Sequence, residues 1–145
     1  MDMNTYCALL PETVAQIGKG AFLTVGGERC NPMTIGWAQF GVIWGKPMVT
    51  VLVRKSRFTY ELLKTTDVFS VSVPAQGDMQ SALAYCGSHS GRDGDKLAAT
   101  GLVRLPARCG GADGIAACKA HYECRIVYRQ DMELSALDEP ALSPL

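Results

Sequence analysis

The apolar residues of this chain fall in short segments that glycine and proline separate. Residues 21–25 form a β-prone run closed by a glycine pair, and residues 33–38 form a second run that follows an Asn-Pro pair. A turn signal at 45–47 precedes residues 48–53, which are apolar on both faces, as in a strand inside a barrel or sandwich. The pattern therefore predicts strands at these three places.

Two later segments alternate between apolar and polar residues with the period of a strand. In residues 68–73 the phenylalanine and two valines share one face, so we expect the two serines to point away from the core. Residues 121–130 predict the best-defined strand, and residues 102–105 predict a weaker one. The expected inner face of the 121–130 strand holds Tyr122, Cys124, Ile126 and Tyr128.

Helix signals are fewer than strand signals. Residues 59–64 follow capping-type hydroxyl residues, and Asp78 is placed to cap a helix that runs from 79 to about 85. Several strands, two short helices and many turns predict a mainly β fold, a barrel with short helices that cover its openings.

Length and charge limit the classes of function. The 145 residues suit one domain over 1–145, and the 14 basic residues balance the 14 acidic ones. A balanced charge gives no field that attracts nucleic acid or a membrane surface, so neither partner is expected. The first residues do not form a signal peptide, and no apolar run approaches the roughly 18 residues of a membrane span. We therefore expect a soluble cytoplasmic protein.

The cysteines and histidines form no recognisable metal motif. Six cysteines occur without a C-x-x-C pair, namely Cys7, Cys30, Cys86, Cys109, Cys118 and Cys124. We expect reduced thiols, several of them packed as small apolar side chains, and the alternative is a sulfur-ligated cluster or a redox pair such as Cys118 with Cys124. The two histidines lack a matching acidic cluster, so no metal site is predicted.

The common nucleotide-binding motifs fail. Residues 18–23 begin like a dinucleotide fingerprint, but Leu23 replaces the third glycine and a strand follows instead of a helix. A glycine-lysine pair at 45–46 lacks the other residues of a phosphate-binding loop. A nucleotide would have to bind in another way.

A different anion site is predicted where a strand gives way to a helix at residues 54–59. This turn holds three cations and two hydroxyl groups, from Arg54, Lys55, Arg57, Ser56 and Thr59. Free amides at a helix start favour an anion, and arginine and lysine add charge-assisted hydrogen bonds. The alternative is a solvated basic turn.

Two further stretches suit a flat, polar-edged ligand. Gly36 interrupts a predicted strand, Trp37 offers a stacking face, and Asn31 offers a donor and an acceptor. The alternative for this stretch is a bulge beside a core tryptophan. The Gly-rich segment 86–96 can wrap a ligand with its amides and supply a cation from Lys96 or Arg92, unless it is only an exposed loop.

These stretches occur in an order that resembles a known family. The order is Asn-Pro-Met-Thr-Ile-Gly-Trp at 31–37, Gly-Lys-Pro at 45–47, the basic turn within 53–61, and the Gly-rich segment 86–96. Over residues 20–130 the chain is similar to the flavin reductase-like, flavoredoxin-type proteins. The resemblance implies a split β-barrel that binds FMN non-covalently, usually as a homodimer.

The resemblance also implies roles for individual residues. The flavin ring would lie against Asn31, Met33, Thr34, Ile35, Gly36 and Trp37. The phosphate would lie in the basic turn of Arg54, Lys55, Ser56, Arg57 and Thr59. The ribityl chain and ring would be closed over by Ser90, Gly91 and Lys96. No side chain is implied as a general acid or base.

The implied activity is that of an FMN-dependent oxidoreductase. Electrons would pass from NAD(P)H through FMN to free flavin, a metal complex or a partner protein. The alternatives are an FMN electron carrier without NAD(P)H activity and a non-redox split barrel that holds another ligand. Similar proteins usually continue past the equivalent of Pro144 into an aromatic-rich strand, so we expect a shortened C-terminus, through truncation or in a short member.

Overall fold

A four-stranded antiparallel sheet lies at the centre of the computed structural model, which describes residues 2–138. In that range the strands are β1 (Ala21–Val25), β2 (Met33–Ile35), β3 (Ala38–Ile43), β4 (Lys46–Val51), β5 (Val68–Val73), β6 (Arg104–Leu105), β7 (Gly114–Ile115) and β8 (Ala120–Arg125). The helices are α1 (Met3–Ile17), α2 (Phe58–Leu63), α3 (Gln80–Ser88) and α4 (Lys96–Thr100), with a 3-10 turn at Leu134–Ala136. The central sheet has the order β2-β1-β5-β8, and β3 with β4 and β6 with β7 form two separate pairs.

Both faces of the central sheet are covered by other parts of the chain. Successive residues of its inner strands point to opposite sides, so one strand contributes to two apolar clusters. Leu23 of β1 and Val71 of β5 are paired neighbours in one apolar cluster, which also contains Tyr6 of α1. Phe22 packs on the other face with Leu83 of α3 in a second cluster. The second cluster places α3 beside β1 and β2, at the end of the sheet where the candidate site lies.

The serines of β5 lie, as predicted, on the face opposite the apolar cluster of Phe69, Val71 and Val73, but that face is not open to solvent. Ser70 and Ser72 are fully buried, because the segment that contains β7 covers this face of the sheet. The Ser72 Oγ accepts a hydrogen bond from the Ile115 amide at 3.0 Å and lies 3.1 Å from His121 Nδ1. A buried hydroxyl with partners of this kind costs little, so a polar residue does not by itself mark a solvent face.

Helix α1 was not predicted. The Asp2 side chain caps it by accepting from the Asn4 amide at 3.1 Å. Its buried face includes Thr13 and Gln16, so apolar periodicity is weak, and Pro11 lies inside the helix. The four α-helices hold nearly as many residues as the eight strands, so the described chain is mixed α and β rather than mainly β.

The other predicted elements are confirmed in place but not always in extent. The strands at 21–25 and 68–73 match β1 and β5, and the helix at 59–64 matches α2 to within one residue. The strand predicted at 33–38 breaks after Ile35, and the chain resumes pairing at Ala38. The predicted turn at 45–47 lies one residue earlier.

That hairpin turn is set by backbone conformation. Trp44 and Gly45 both have positive φ, at 53° and 68°, which is the geometry of a two-residue turn between antiparallel strands. Lys46 and Pro47 are therefore already within β4, which ends at Val51 rather than at 53. The position of the turn was missed because a tryptophan seldom takes a positive φ.

Three predicted bounds also change. The strand predicted at 121–130 is β8 and ends at Arg125, and Tyr128 is 70% exposed. The strand predicted at 102–105 is reduced to the two residues of β6. Helix α3 starts after Met79, which has a left-handed φ of 59°, and no side chain, Asp78 included, caps it.

All six cysteines are free thiols. Burial raises the pKa of Cys118 and that of Cys124 to about 12, and that of Cys30 to about 11. Cys118 packs against the second apolar cluster and Cys124 against the first, on opposite faces of the sheet. This separation disfavours a redox pair between them. The C-terminal residues 139–145, to which the expectation of a missing strand refers, lie outside the described residues.

Candidate functional site

A small cavity of about 60 Å³ lies between the start of β2, the start of α2 and the segment that joins α3 to α4. Eight of its lining residues were predicted as ligand contacts: Asn31, Met33, Ser56, Arg57, Thr59, Ser90, Gly91 and Lys96. The other lining residues are Phe58, His89 and Arg92. We call this space the cation cavity, because Arg57, Arg92 and Lys96 line it and no carboxylate does. Three stretches that are far apart in sequence therefore meet at one point.

Lys96 is the most deeply buried cation of the cavity, with 4% of its surface exposed. Asp95 caps α4 by accepting from the Leu97 amide at 2.9 Å, which fixes Lys96 at the first position of the helix. The ammonium donates to the carbonyl oxygens of Cys86 at 2.9 Å and Pro32 at 3.1 Å. An ammonium has three donors, so one N–H remains for a ligand.

Lys96 lies among other positive charges, and this arrangement favours the binding of an anion. The pKa of Lys96 is lowered to about 8, chiefly by burial and to a smaller extent by the nearby charges of Arg57 and Arg29. None of the ion pairs among residues 2–138 includes Lys96, Arg57, Arg29 or Arg92. A negatively charged ligand would relieve this repulsion.

Arg57 joins the three stretches that build the cavity. It precedes α2, and its Nε contacts the Met33 sulfur at 3.2 Å. Its two other nitrogens donate to the carbonyls of Gly87 at 3.1 Å and Cys86 at 3.4 Å. A guanidinium has five N–H donors, so two stay available at the cavity.

Two neutral residues form the inner wall. Asn31 and Thr59 are buried, and the Asn31 amide nitrogen lies 3.4 Å from the Thr59 hydroxyl. Gly91 packs directly against the Asn31 side chain, with no room for a Cβ atom. The glycine is needed because the loop approaches this wall so closely, and not because of a positive φ.

Six predicted contacts lie outside the cavity. They are Thr34, Ile35, Gly36, Trp37, Arg54 and Lys55. Arg54 lies over the Trp37 ring at 4.8 Å, and Lys55 pairs with Asp131 at 2.8 Å, both near the surface. The basic turn therefore splits: Arg57 points inward, and its two neighbouring cations do not.

The Gly36 and Trp37 stretch forms the break between β2 and β3. Trp37 is 44% exposed, so the alternative of a core tryptophan is wrong. A Cβ on Gly36 would meet only the Ile17 carbonyl, at 3.7 Å, which is an ordinary contact. The protein itself therefore does not require glycine here.

Sequence reasoning missed one residue near the cavity altogether. Arg29, in the connection from β1 to β2, donates to the carbonyls of Gly91 and of Gly94, the latter at 3.1 Å. Its partners are more than 60 positions away, and no local pattern marks it. Phe58 belongs to the motif at 53–61 but was not predicted as a contact. It lines the cavity, and Arg29 lies 4.9 Å from its ring centroid.

A second, larger space is an open groove of about 1190 Å³ between β4 and β8. It contains none of the predicted contacts, and its walls are largely valine, tyrosine and other apolar side chains. We place the candidate site in the smaller cavity, because buried donors and uncompensated positive charge converge there. No group of three His, Cys, Asp or Glu side chains suited to a metal was found in the described part of the chain.

The comparison with protein families identifies the class. The flavin reductase-like domain model matches residues 17–137, so the chain belongs to that family. Nothing in residues 2–138 forms a helix both long enough and apolar enough to cross a bilayer.

Solved structures of flavoproteins share the fold. Flavoredoxin from Methanosarcina acetivorans is 30% identical, with a TM-score of 0.67 over 78% of this chain and 59% of that chain. An FMN-binding protein from Thermus thermophilus, with bound p-hydroxybenzaldehyde, is 27% identical, with a TM-score of 0.68 over 78% and 62%. Flavoredoxin of Desulfovibrio vulgaris (Miyazaki F) is 22% identical, with a TM-score of 0.68 over 77% and 61%, a likeness of fold alone.

A curated relative is an uncharacterised protein of Archaeoglobus fulgidus, 28% identical over 107 residues. The match covers 73% of this chain and 59% of the relative. The chain thus spans about 60% of the length of the relatives it matches.

Proposed function

We propose that this chain is an FMN-binding oxidoreductase built as a single flavin reductase-like domain over residues 1–145. The observation that carries the proposal is the cation cavity, in which buried Lys96 and the guanidinium of Arg57 are uncompensated by any lining carboxylate. A phosphate monoester is the anion that best satisfies converging ammonium, guanidinium and hydroxyl donors.

The donor set fits the phosphate end of FMN. The free donors of Lys96 and Arg57 would hold the phosphate, and the hydroxyls of Ser56, Thr59 and Ser90 would add hydrogen bonds. Gly91 would bring its loop close to the bound group. Arg54 and Lys55 would act from the surface, where they add to the positive field but lie outside the cavity.

The ring of the flavin would extend from the cavity toward the break between β2 and β3. There Met33, Thr34 and Ile35 would offer an edge of the sheet, Gly36 would leave the backbone open, and Trp37 would offer an exposed ring face. The bound flavin supplies two-electron hydride chemistry, and the protein supplies its position and electrostatics.

The electron donor that we propose is NAD(P)H, and the acceptor is free flavin, a metal complex or a partner protein. A structural neighbour named as an NADH:FAD oxidoreductase from Streptomyces globisporus supports this reading; it is 26% identical, with a TM-score of 0.66. The flavoredoxin of Methanosarcina acetivorans favours the second candidate, an FMN electron carrier without NAD(P)H activity.

Anaerobic mixing of the FMN-loaded protein with NADH or NADPH separates these two functions. Loss of the flavin absorption band that is faster than the loss seen when free FMN is mixed with the same nucleotide supports the reductase. An unchanged spectrum that a strong chemical reductant still bleaches supports the carrier. A folded protein that takes up no FMN rejects both and leaves a non-redox barrel.

The architecture we propose is the split β-barrel of the family. The hairpin of β3 and β4 follows β2 after a short break, and such a break would let the hairpin fold over the central sheet to form a barrel.

We also propose a homodimer, by analogy with the family. Sedimentation equilibrium at micromolar concentration with FMN present checks this, and a monomer at all concentrations contradicts it.

A further inference from the structure

The loop that covers the cation cavity has few attachments of its own. Residues 90–95 make up most of the connection from α3 to α4, which spans 89–95, and contain turns rather than regular structure. Within the loop, the Asp93 amide donates to the Ser90 carbonyl at 3.1 Å, and the Arg92 amide donates to the Ser90 hydroxyl at 3.1 Å. These bonds shape the loop, and its own hydrogen bond to the rest of the molecule runs from Arg92 Nη1 to the Ser56 carbonyl at 3.3 Å, near the surface.

Arg29 supplies an attachment from outside the loop. Its guanidinium donates to the carbonyls of Gly91 and Gly94, at the two ends of the turn. One planar group thus ties two points of the same loop to the connection between β1 and β2. Both bonds come from one nitrogen, Nη2, whose two N–H groups are fixed in the plane of a guanidinium that also lies over the Phe58 ring; a lysine ammonium has no such plane to hold the two donors and the ring contact together.

The same guanidinium also contacts the first residue of α2. It lies 4.9 Å from the Phe58 ring centroid, and Arg92 lies 5.4 Å from the same centroid. Gly91 is pressed against this ring, since a Cβ there would lie 2.7 Å from the Phe58 Cδ1 atom. Arg29 therefore joins the loop, the start of α2 and the β1–β2 connection.

We propose that Arg29 is a positioning residue that holds the 90–95 loop closed over the cation cavity. It acts through the Gly91 and Gly94 carbonyls and the Phe58 ring. The identity of the ligand rests on the proposed function, but the closure of the loop does not. Arg29 also adds positive charge near Lys96, so a test must separate charge from geometry.

The test compares wild type, Arg29→Lys, Arg29→Ala and the control Arg125→Ala, which changes an exposed arginine of β8 away from the cavity. Amide hydrogen exchange is measured without ligand on a peptic fragment that contains residues 89–96. We expect exchange at least about tenfold faster in both Arg29 variants, with unchanged exchange in the central sheet and in the control. Unchanged exchange in the fragment, or full protection restored by lysine, overturns the proposal.

The rate at which the same four proteins release bound FMN gives a second measurement. Both Arg29 variants should release FMN about tenfold faster than wild type, and Arg125→Ala should not. A charge effect alone would leave Arg29→Lys at the wild-type rate, which contradicts a positioning role. If wild type binds no FMN, the proposed function fails, and the exchange experiment still decides the role of Arg29.

Discussion

Asn31 and Gly91 are packed so closely that position 91 has no room for a side chain. A Cβ atom there would overlap the Asn31 carboxamide oxygen and would lie 2.7 Å from both the Asn31 Cγ and the Phe58 Cδ1 atoms. Asn31 is buried, so it cannot swing aside into solvent. This contact brings the Gly-rich segment and the Asn-Pro segment together at the cation cavity.

The Gly91→Ala substitution should therefore disturb both fold and site. We expect a loss of about 1–3 kcal/mol in the free energy of unfolding, as for an overpacked core, and at least about tenfold weaker FMN binding. The matched control is Gly94→Ala, since a Cβ at Gly94 meets nothing within 4 Å. Urea unfolding and FMN titration of both variants provide the comparison. Equal behaviour of the two alanine variants would show that the close packing is unimportant.

Lys96 should make FMN binding depend on pH. Its pKa is lowered to about 8, and an anionic ligand prefers the charged form. Lys96 carries its positive charge below this pH and loses it above. The dissociation constant of FMN should therefore rise about tenfold between pH 7 and pH 9. Fluorescence titration across this range measures the effect.

The variant Lys96→Gln keeps a donor but has no charge to lose. It should bind FMN weakly at pH 7 and show no further loss up to pH 9. A variant that retains the full pH dependence would assign that dependence to another group and remove Lys96 from the site.

Arg57→Ala should weaken FMN far more than riboflavin, because riboflavin lacks the phosphate. We expect a loss of roughly tenfold or more for FMN, about 1.4 kcal/mol. Trp37→Ala should weaken both ligands alike, since the ring face is common to both. Parallel titrations with the two ligands check this pair of variants. Equal losses in Arg57→Ala would mean that the guanidinium serves the structure and not a phosphate.

Much of this arrangement can be predicted from local sequence. Residues 21–25 and 68–73 form strands because short β-prone runs are bounded by turn residues, and the order of the polar motifs indicated a shared site. Eight of the predicted contacts meet at the cation cavity. Local sequence therefore predicts which segments form strands or helices and which types of side chain the site contains.

Long-range relationships account for what was missed. Helix α1 buries Thr13 and Gln16, whose partners are Tyr122 and the Gly20 and Gly77 backbone, so its inner face does not read as apolar. Arg29 finds its partners across more than 60 residues. Lys55 points outward and pairs with Asp131, which no local pattern places beside it.

His121 should make the folded protein sensitive to mild acid. Its ring is half-buried on β8, and burial lowers its pKa from the ordinary value of 6.5. The neutral form is favoured in the fold, so stability is fully present above about pH 6.5. It falls as the pH drops below that value, because the unfolded chain takes up the proton first.

Urea unfolding at pH 7.5 and pH 5.5 tests this. His121→Gln should lose less stability between the two pH values than wild type does, and the exposed His89→Gln serves as the control. If His121→Gln and His89→Gln respond to acid as wild type does, the sensitivity arises elsewhere.

The most direct test of the central claim is a titration of the folded protein with FMN, followed by flavin fluorescence and checked by circular dichroism. The cation cavity predicts saturable binding of about one FMN per chain, a yellow protein after gel filtration, and release of intact FMN on denaturation. Riboflavin should bind much more weakly under the same conditions. A protein that is folded by circular dichroism yet leaves FMN fluorescence unchanged would contradict the account.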